Sequence, residues 1–326
     1  MPEPLFSLEE LQAAAAFVHD RMPPTPQYAW PLLGEEVGAK VWVKHENHTP
    51  TGAFKVRGAH TFIDWLKRTQ PDCPGIVTAT RGNHGQGQAL AARAAGMVAK
   101  VYVPEGNSVE KNAAMRAFGA ELIVHGADFD TAREKAHRVA EAEGLVFVPP
   151  YHKELVRGVA TYALELLTAA PELDTIYVPI GCGSGICGTI AARDALGLAT
   201  KVVGVVSENA DCILRSMAAN DLVETDTAHT FADGIATRVP MPEAFEVYSA
   251  GAERIIAVSD AEIAEAMRLL FRTTHNVAEG AGAAALAALV AERQMMAGKQ
   301  VGVILTGGNI DAPWFEQVLS GGVPSL

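Results

Sequence analysis

The sequence predicts an α/β protein of two domains, each a twisted, mostly parallel sheet flanked by helices, and three observations lead there. From Val41 onward, short β-branched runs alternate with longer Ala-rich amphipathic runs. That alternation calls for parallel strands joined by right-handed helical crossovers. Gly-rich turns stand between a strand pattern and a helix pattern at 81–87 and at 181–188, the carboxyl-end position where such sheets bind ligands. With 326 residues, 49% hydrophobic and 20% charged, the chain can bury one large core or two smaller ones.

In chain order, Ser7 and Glu10 form a capping box ahead of Leu8, Leu11, Ala15 and Val18 at helical spacing, so a helix is expected from Ser7 to His19. Pro23, Pro24 and Pro26 stop it. Strands are expected at Val41–Lys44, Gly75–Thr78, Val98–Val103, Glu121–Val124, Leu145–Val148, Thr175–Pro179, Lys201–Val206, Arg254–Val258 and Gln300–Leu305. Helices fall between nearly all of them, among them Phe54–Thr69 and Gln86–Ala95, and a last one is read at Ala312–Leu319. The four strands from Gly75 to Val148 suffice for a sheet of their own. A small domain is therefore expected at 75–148 and a larger, discontinuous one at 1–74 with 149–326. Only a short Gly/Pro tail follows the last helix pattern, so no appended regulatory domain is expected.

A formal charge of -12, with acidic residues scattered along the chain, excludes a basic nucleic-acid surface. Cys73, Cys182, Cys187 and Cys212 show neither metal-site pairing nor a disulfide framework and read as reduced thiols. The start Met1-Pro2-Glu3-Pro4 carries no basic and apolar leader, and no long apolar span breaks the pattern. A cytoplasmic protein without membrane or nucleic-acid partners is expected.

Four stretches carry chemistry. Lys55, in Thr51-Gly52-Ala53-Phe54-Lys55-Val56-Arg57-Gly58-Ala59, stands where a strand has turned a Pro/Gly corner into a helix. Within a packed layer its ammonium must be paired, neutral or covalently bonded, whereas at the surface it would simply reach water. Thr78-Ala79-Thr80-Arg81-Gly82-Asn83-His84-Gly85-Gln86-Gly87 places backbone NH groups at a helix start, where anions bind, though Gly-Asn is also ordinary turn chemistry. Gly181-Cys182-Gly183-Ser184-Gly185-Ile186-Cys187-Gly188 is a phosphate cradle on the same grounds. It lacks the Gly-Lys-Ser/Thr of a Walker loop, but it matches the dinucleotide fingerprint, with Glu208 after the next strand as a ribose partner. Leu305-Thr306-Gly307-Gly308-Asn309-Ile310-Asp311 puts a neutral hydroxyl at the last strand end, and Glu279, opening an Ala-rich helix, reads as its cap.

Taken in this order over nearly the whole chain, the four stretches resemble the tryptophan-synthase-β-like, fold type II pyridoxal 5'-phosphate (PLP) enzymes, most closely the threonine/serine dehydratase and serine racemase branch. The resemblance implies the PLP fold type II architecture, PLP as cofactor and a homodimer. It implies that Lys55 carries the cofactor as a Schiff base and later serves as the base at Cα. It implies that Phe54 packs beside the pyridine ring, that Asn83 meets the ring's 3-oxygen and that Thr306 meets the ring nitrogen. NH groups of Gly181, Cys182, Gly183, Ser184 and Gly185 would hold the phosphate. The segment Thr80, Arg81, Gly82, Asn83 and His84 would hold the substrate carboxylate. The implied reaction is α,β-elimination from a 3-hydroxy amino acid to a 2-oxo acid and ammonia. Threonine, serine, 3-hydroxyaspartate and phenylserine are the candidates, with racemisation or β-replacement as the alternative.

The chain departs from that pattern at three places. Racemases of this branch carry a serine base where Arg81 stands, and a permanently charged guanidinium accepts no proton. Arg81 is expected either to clamp a second substrate carboxylate or to pair with a carboxylate of its own protein. The branch's cation ligands would fall at Val206 and Cys212, neither of which offers a hard oxygen. Cys182 and Ser184 replace usual glycines of the phosphate loop, a change that backbone NH donation survives.

Overall fold

The computed structural model describes residues 4–325; Met1 to Glu3, read above as lacking a leader, and Leu326 lie outside the described residues. Ten strands are present: β1 Gln27–Ala29, β2 Lys40–His45, β3 Gly75–Ala79, β4 Val98–Val103, β5 Glu121–Val124, β6 Val146–Phe147, β7 Thr175–Pro179, β8 Lys201–Ser207, β9 Arg254–Val258 and β10 Gln300–Leu305. They form a six-stranded sheet of order β1-β2-β10-β7-β8-β9 and a four-stranded sheet of order β5-β4-β3-β6. Every pairing is parallel except β1 against β2.

Local signals explain most boundaries. Ser7 accepts from Glu10 N–H at 3.2 Å, and Glu10 Oε2 accepts from Ser7 N–H at 2.8 Å, so the capping box starts the helix at Leu8. Strand β1 carries no sequence signal, because three residues beside Pro26 cannot show a period; it lies at the sheet edge, where Pro-flanked strands are tolerated. The helix expected from Gln86 begins a turn earlier, at Asn83. Its glycines lower local propensity, but packing overrides this: a Cβ at Gly87 would stand 3.1 Å from Val56 Cα, so the missing side chain lets this helix close on Lys55–Thr69.

The large sheet is covered on both faces. On one, the Ala-rich helix Gly280–Ala291 is buried nearly all round, between the strands and the helix Asp260–Thr274. On the other, Lys153–Ala169 and Ser184–Ala195 pack on Ile176, Val178, Val202 and Val206. The small sheet has its own clusters, and one of them takes in Ala59, Phe62, Ile63 and Leu66 of the Lys55 helix. No helix among the described residues is long and apolar enough to cross a membrane.

Candidate active site

Strands β2, β3, β7 and β10 each end at one motif, and all four motifs meet in one cleft. After β2, the turn is held by Thr49, whose hydroxyl donates to Ala53 O at 2.8 Å and accepts from Ala53 N–H at 2.9 Å. Phe54 N–H donates to Thr306 O at 3.0 Å and Gly308 N–H to Gly52 O at 2.9 Å, which stitches the lysine turn to the end of β10. Lys55 opens the next helix, and its Nζ donates to Ser184 Oγ at 3.1 Å from the Gly-rich loop. Phe54 stands edge-on to Tyr162 with centroids 6.1 Å apart, and Tyr162 OH donates to Gly185 O at 2.9 Å.

Besides the starts of the helices Lys55–Thr69 and Gly280–Ala291, the helix N-termini at Asn83 after β3 and at Ser184 after β7 face the cleft. First-turn NH groups have no intrahelical acceptor and favour an anion. Gly183 holds φ at +95°, and a Cβ there would reach 2.6 Å from that of Ala244, so the loop is shaped by the absence of a side chain. All residues expected from the sequence, Phe54, Lys55, Thr80 to His84, Gly181 to Gly185 and Thr306, line this cleft. Lys111, Asp233 and Glu279 also line it and were not expected there. Neither Lys111 nor Asp233 lies in a recognisable motif. Glu279 does stand at the N-cap position, yet its side chain makes no capping bond and instead accepts from Asn83 Nδ2 at 2.7 Å.

The cleft's basic groups differ in availability. Burial lowers the Lys55 amine below the ordinary lysine range. Burial would do the same to Lys111, but Asp233, with Nζ to Oδ2 at 2.5 Å, and then Glu279 outweigh it and raise that amine. Burial, with the charge of Lys55, brings the His84 imidazole down to about 3, so it is neutral and a very weak base. Arg81 is exposed and, among the described residues, makes no ion pair. Lys55 is thus the amine in this cleft that is both depressed and free of a carboxylate partner. Val206, within β8, is buried, and Cys212 beyond it donates its Sγ–H to Thr237 O at 3.1 Å; no grouping of three or more metal-ligating side chains occurs among the described residues.

A buried lysine amine of lowered pKa beside the helix N-terminus at Ser184, at the carboxyl edge of a parallel sheet, has the form of a site that bonds a phosphorylated carbonyl cofactor through lysine. The chain belongs to the family of pyridoxal-phosphate dependent enzymes, which it matches over residues 18–307, and its cofactor is pyridoxal 5'-phosphate. It is 33% identical over 320 residues to an L-threonine ammonia-lyase of Thermotoga maritima, covering 98% of this chain and 79% of that one. It is 35% identical over 298 residues to an L-threo-3-hydroxyaspartate ammonia-lyase of a Pseudomonas species, covering 91% and 93%. Among solved structures, maize serine racemase superposes with a TM-score of 0.89 at 29% identity, covering 96% and 97%. Biosynthetic threonine dehydratases that the chain matches are longer, and it spans 58% of their length.

Proposed function

We propose that this chain is an ammonia-lyase that removes the hydroxyl of a 3-hydroxy amino acid and yields a 2-oxo acid and ammonia. The observation that carries this reading is the single available base: Lys55 alone among the cleft's amines is depressed and unpaired. A one-base site suits elimination, whereas inversion at Cα needs a second base on the opposite face, where Arg81 cannot serve. The cofactor, when bound, supplies a carbonyl for Schiff-base linkage and an electron sink for charge at Cα.

Lys55 would carry the cofactor, and its amine, lowered by burial, would take the α-proton of the substrate. NH groups of Gly181, Cys182, Gly183, Ser184 and Gly185 would hold the phosphate; Phe54 would pack beside the ring, Asn83 would meet its 3-oxygen and Thr306 its nitrogen. A hydroxyl there, unlike a carboxylate, would not force the ring nitrogen to be protonated, and the milder electron sink would favour loss of the β-substituent. NH groups of Thr80, Arg81, Gly82, Asn83 and His84 hold the substrate carboxylate. The substrate loses its α-proton and its β-hydroxyl as water; the enamine released takes up water and gives the 2-oxo acid and ammonia.

The free charge of Arg81 supports a substrate with a second carboxylate, such as 3-hydroxyaspartate, over pairing within the protein. The domain division at 75–148 is proposed as read, supported by the confinement of β3 to β6 to that segment. A cytoplasmic location is supported by four cysteines without a disulfide. A homodimer is proposed from the resemblance, with a light-scattering mass near twice 34.4 kDa as its check.

The test offers serine, threonine, 3-hydroxyaspartate and phenylserine to purified protein, measuring 2-oxo acid and the enantiomeric composition of remaining substrate. The protein should be yellow, Lys55→Ala should lose the Schiff-base band, and at least one substrate should give 2-oxo acid. A yellow protein that gives none would falsify the lyase reading, and racemised substrate without 2-oxo acid would replace it with the racemase.

A further inference from the structure

Asn83 does not set its own orientation. Its Nδ2 donates to Glu279 Oε1 at 2.7 Å, while its Oδ1 accepts from Asn309 Nδ2 at 2.8 Å. Asn309 Nδ2 also donates to Thr51 O at 2.8 Å, so both of its hydrogens are committed. A carboxamide held by an acceptor on one side and a donor on the other has one allowed flip state. One Nδ2 hydrogen of Asn83 is then left over, and Asn83 lines the cleft.

Glu279 is buried at 3% exposure, and its Oε2 has no hydrogen-bond donor, with Lys111 Nζ at 3.9 Å. Leaving a buried carboxylate half satisfied is costly. Its N-cap position does not explain it, since it caps nothing. Its hydrogen bond to Asn83 does.

We propose that Glu279 and Asn309 are positioning residues that lock the Asn83 carboxamide so that its one free N–H points at the bound cofactor. The inference rests on the reading of Asn83 as a contact to the cofactor ring. It reaches across the cleft, because Asn83 follows β3 of the small sheet while Glu279 and Asn309 flank β10 of the large one. The groups facing Glu279 are Lys111 from the helix Val109–Ala117, Asp233 from the turn Asp233–Ile235, and Asn83. Burial lifts the Glu279 carboxyl to about 7 against the pull of Lys111, with Asp233 adding to the lift. Protonation near that pH therefore weakens the acceptor that Asn83 uses.

The experiment compares wild type, Glu279→Gln, Glu279→Ala and Asn309→Asp, each reconstituted with pyridoxal phosphate, by cofactor titration, absorbance against pH, and kcat and KM. Glu279→Gln keeps an acceptor oxygen, so cofactor affinity should hold, while the pH-dependent change in the cofactor band near 7 should vanish. Glu279→Ala should weaken cofactor binding on the order of tenfold, as loss of one charge-assisted hydrogen bond does, and lower kcat more than KM changes. Asn309→Asp puts an acceptor against Asn83 Oδ1 and should shift the band in a protein with an unaltered circular dichroism spectrum. If Glu279→Ala fails to fold, Asn309→Asp decides alone. An unchanged band and affinity in Asn309→Asp, or equal impairment of Gln and Ala at 279, overturns the positioning role. A wild-type protein that binds no cofactor overturns the underlying reading of Asn83 instead.

Discussion

Lys55 and Arg81 carry the functional reading at the scale of single residues, and opposite physical facts make them informative. A lysine amine is useful as a base only when some of it is unprotonated near neutral pH, and the burial around Lys55 moves it that way with no carboxylate to reverse it. Lys111, in the same cleft, shows the contrary outcome when Asp233 is within 2.5 Å. Lys55→Arg should therefore fold and yet release no 2-oxo acid, checked by a coupled assay beside a thermal scan. Arg81, among the described residues, pairs with no carboxylate of the protein. Arg81→Ser should lower kcat/KM for 3-hydroxyaspartate by roughly a hundredfold, the worth of a charge-assisted pair, and change that for threonine only severalfold. An equal loss for both substrates would show that Arg81 serves the α-carboxylate instead.

At the scale of elements, the lysine helix is fixed from behind. Arg57, two residues after Lys55 and fully buried, makes a double contact to Glu46 at 2.7 and 3.0 Å and another to Glu165 at 2.6 and 3.0 Å. Lys44 of β2 joins through Glu165 Oε2 at 2.5 Å. Strand, turn and the helix Lys153–Ala169 are thereby tied to the helix that presents Lys55. Burial alone would raise the Glu165 carboxyl, but Arg57 and then Lys44 outweigh it and hold it down to about 2. A carboxylate with a depressed folded pKa contributes its full stability above its unfolded value and loses it as pH falls through the folded one. Acid should thus remove roughly 3 kcal/mol between about pH 4.5 and 2, and urea melts should show that slope flattened in Glu165→Gln. The same two helices cross at glycines: a Cβ at Gly158 would stand 2.3 Å from Thr61 Oγ1 and 2.4 Å from Arg57 O. Gly158→Ala should cost about 1–3 kcal/mol in denaturant unfolding.

The whole molecule is two sheets facing one cleft, with few but short polar contacts across it. Ser108 Oγ donates to Asp311 Oδ1 at 2.5 Å, Lys111 meets Asp233, and Asn83 meets Glu279 and Asn309. A cofactor held, as proposed, by motifs from both sheets would add to these ties and bind only the folded protein. Stripping it should lower the melting temperature by several degrees, and adding it back should restore the value, read by a thermal scan of both forms.

The parallel strands were legible because a two-sided buried strand must be a β-branched run and a covering helix must be amphipathic, so periodicity and turn residues report them locally. The three-residue β1 had no room to show a period. The order of the four motifs along the chain, read as a family resemblance, singled out Lys55, Asn83, the Gly181–Gly185 loop and Thr306, and all of them line one cleft. The contacts of Lys111, Asp233, Glu279 and Asn309 were decided only by the tertiary structure. Their partners lie up to 226 residues away along the chain, and a charge pair or an amide lock made through space leaves no spacing in the sequence to read.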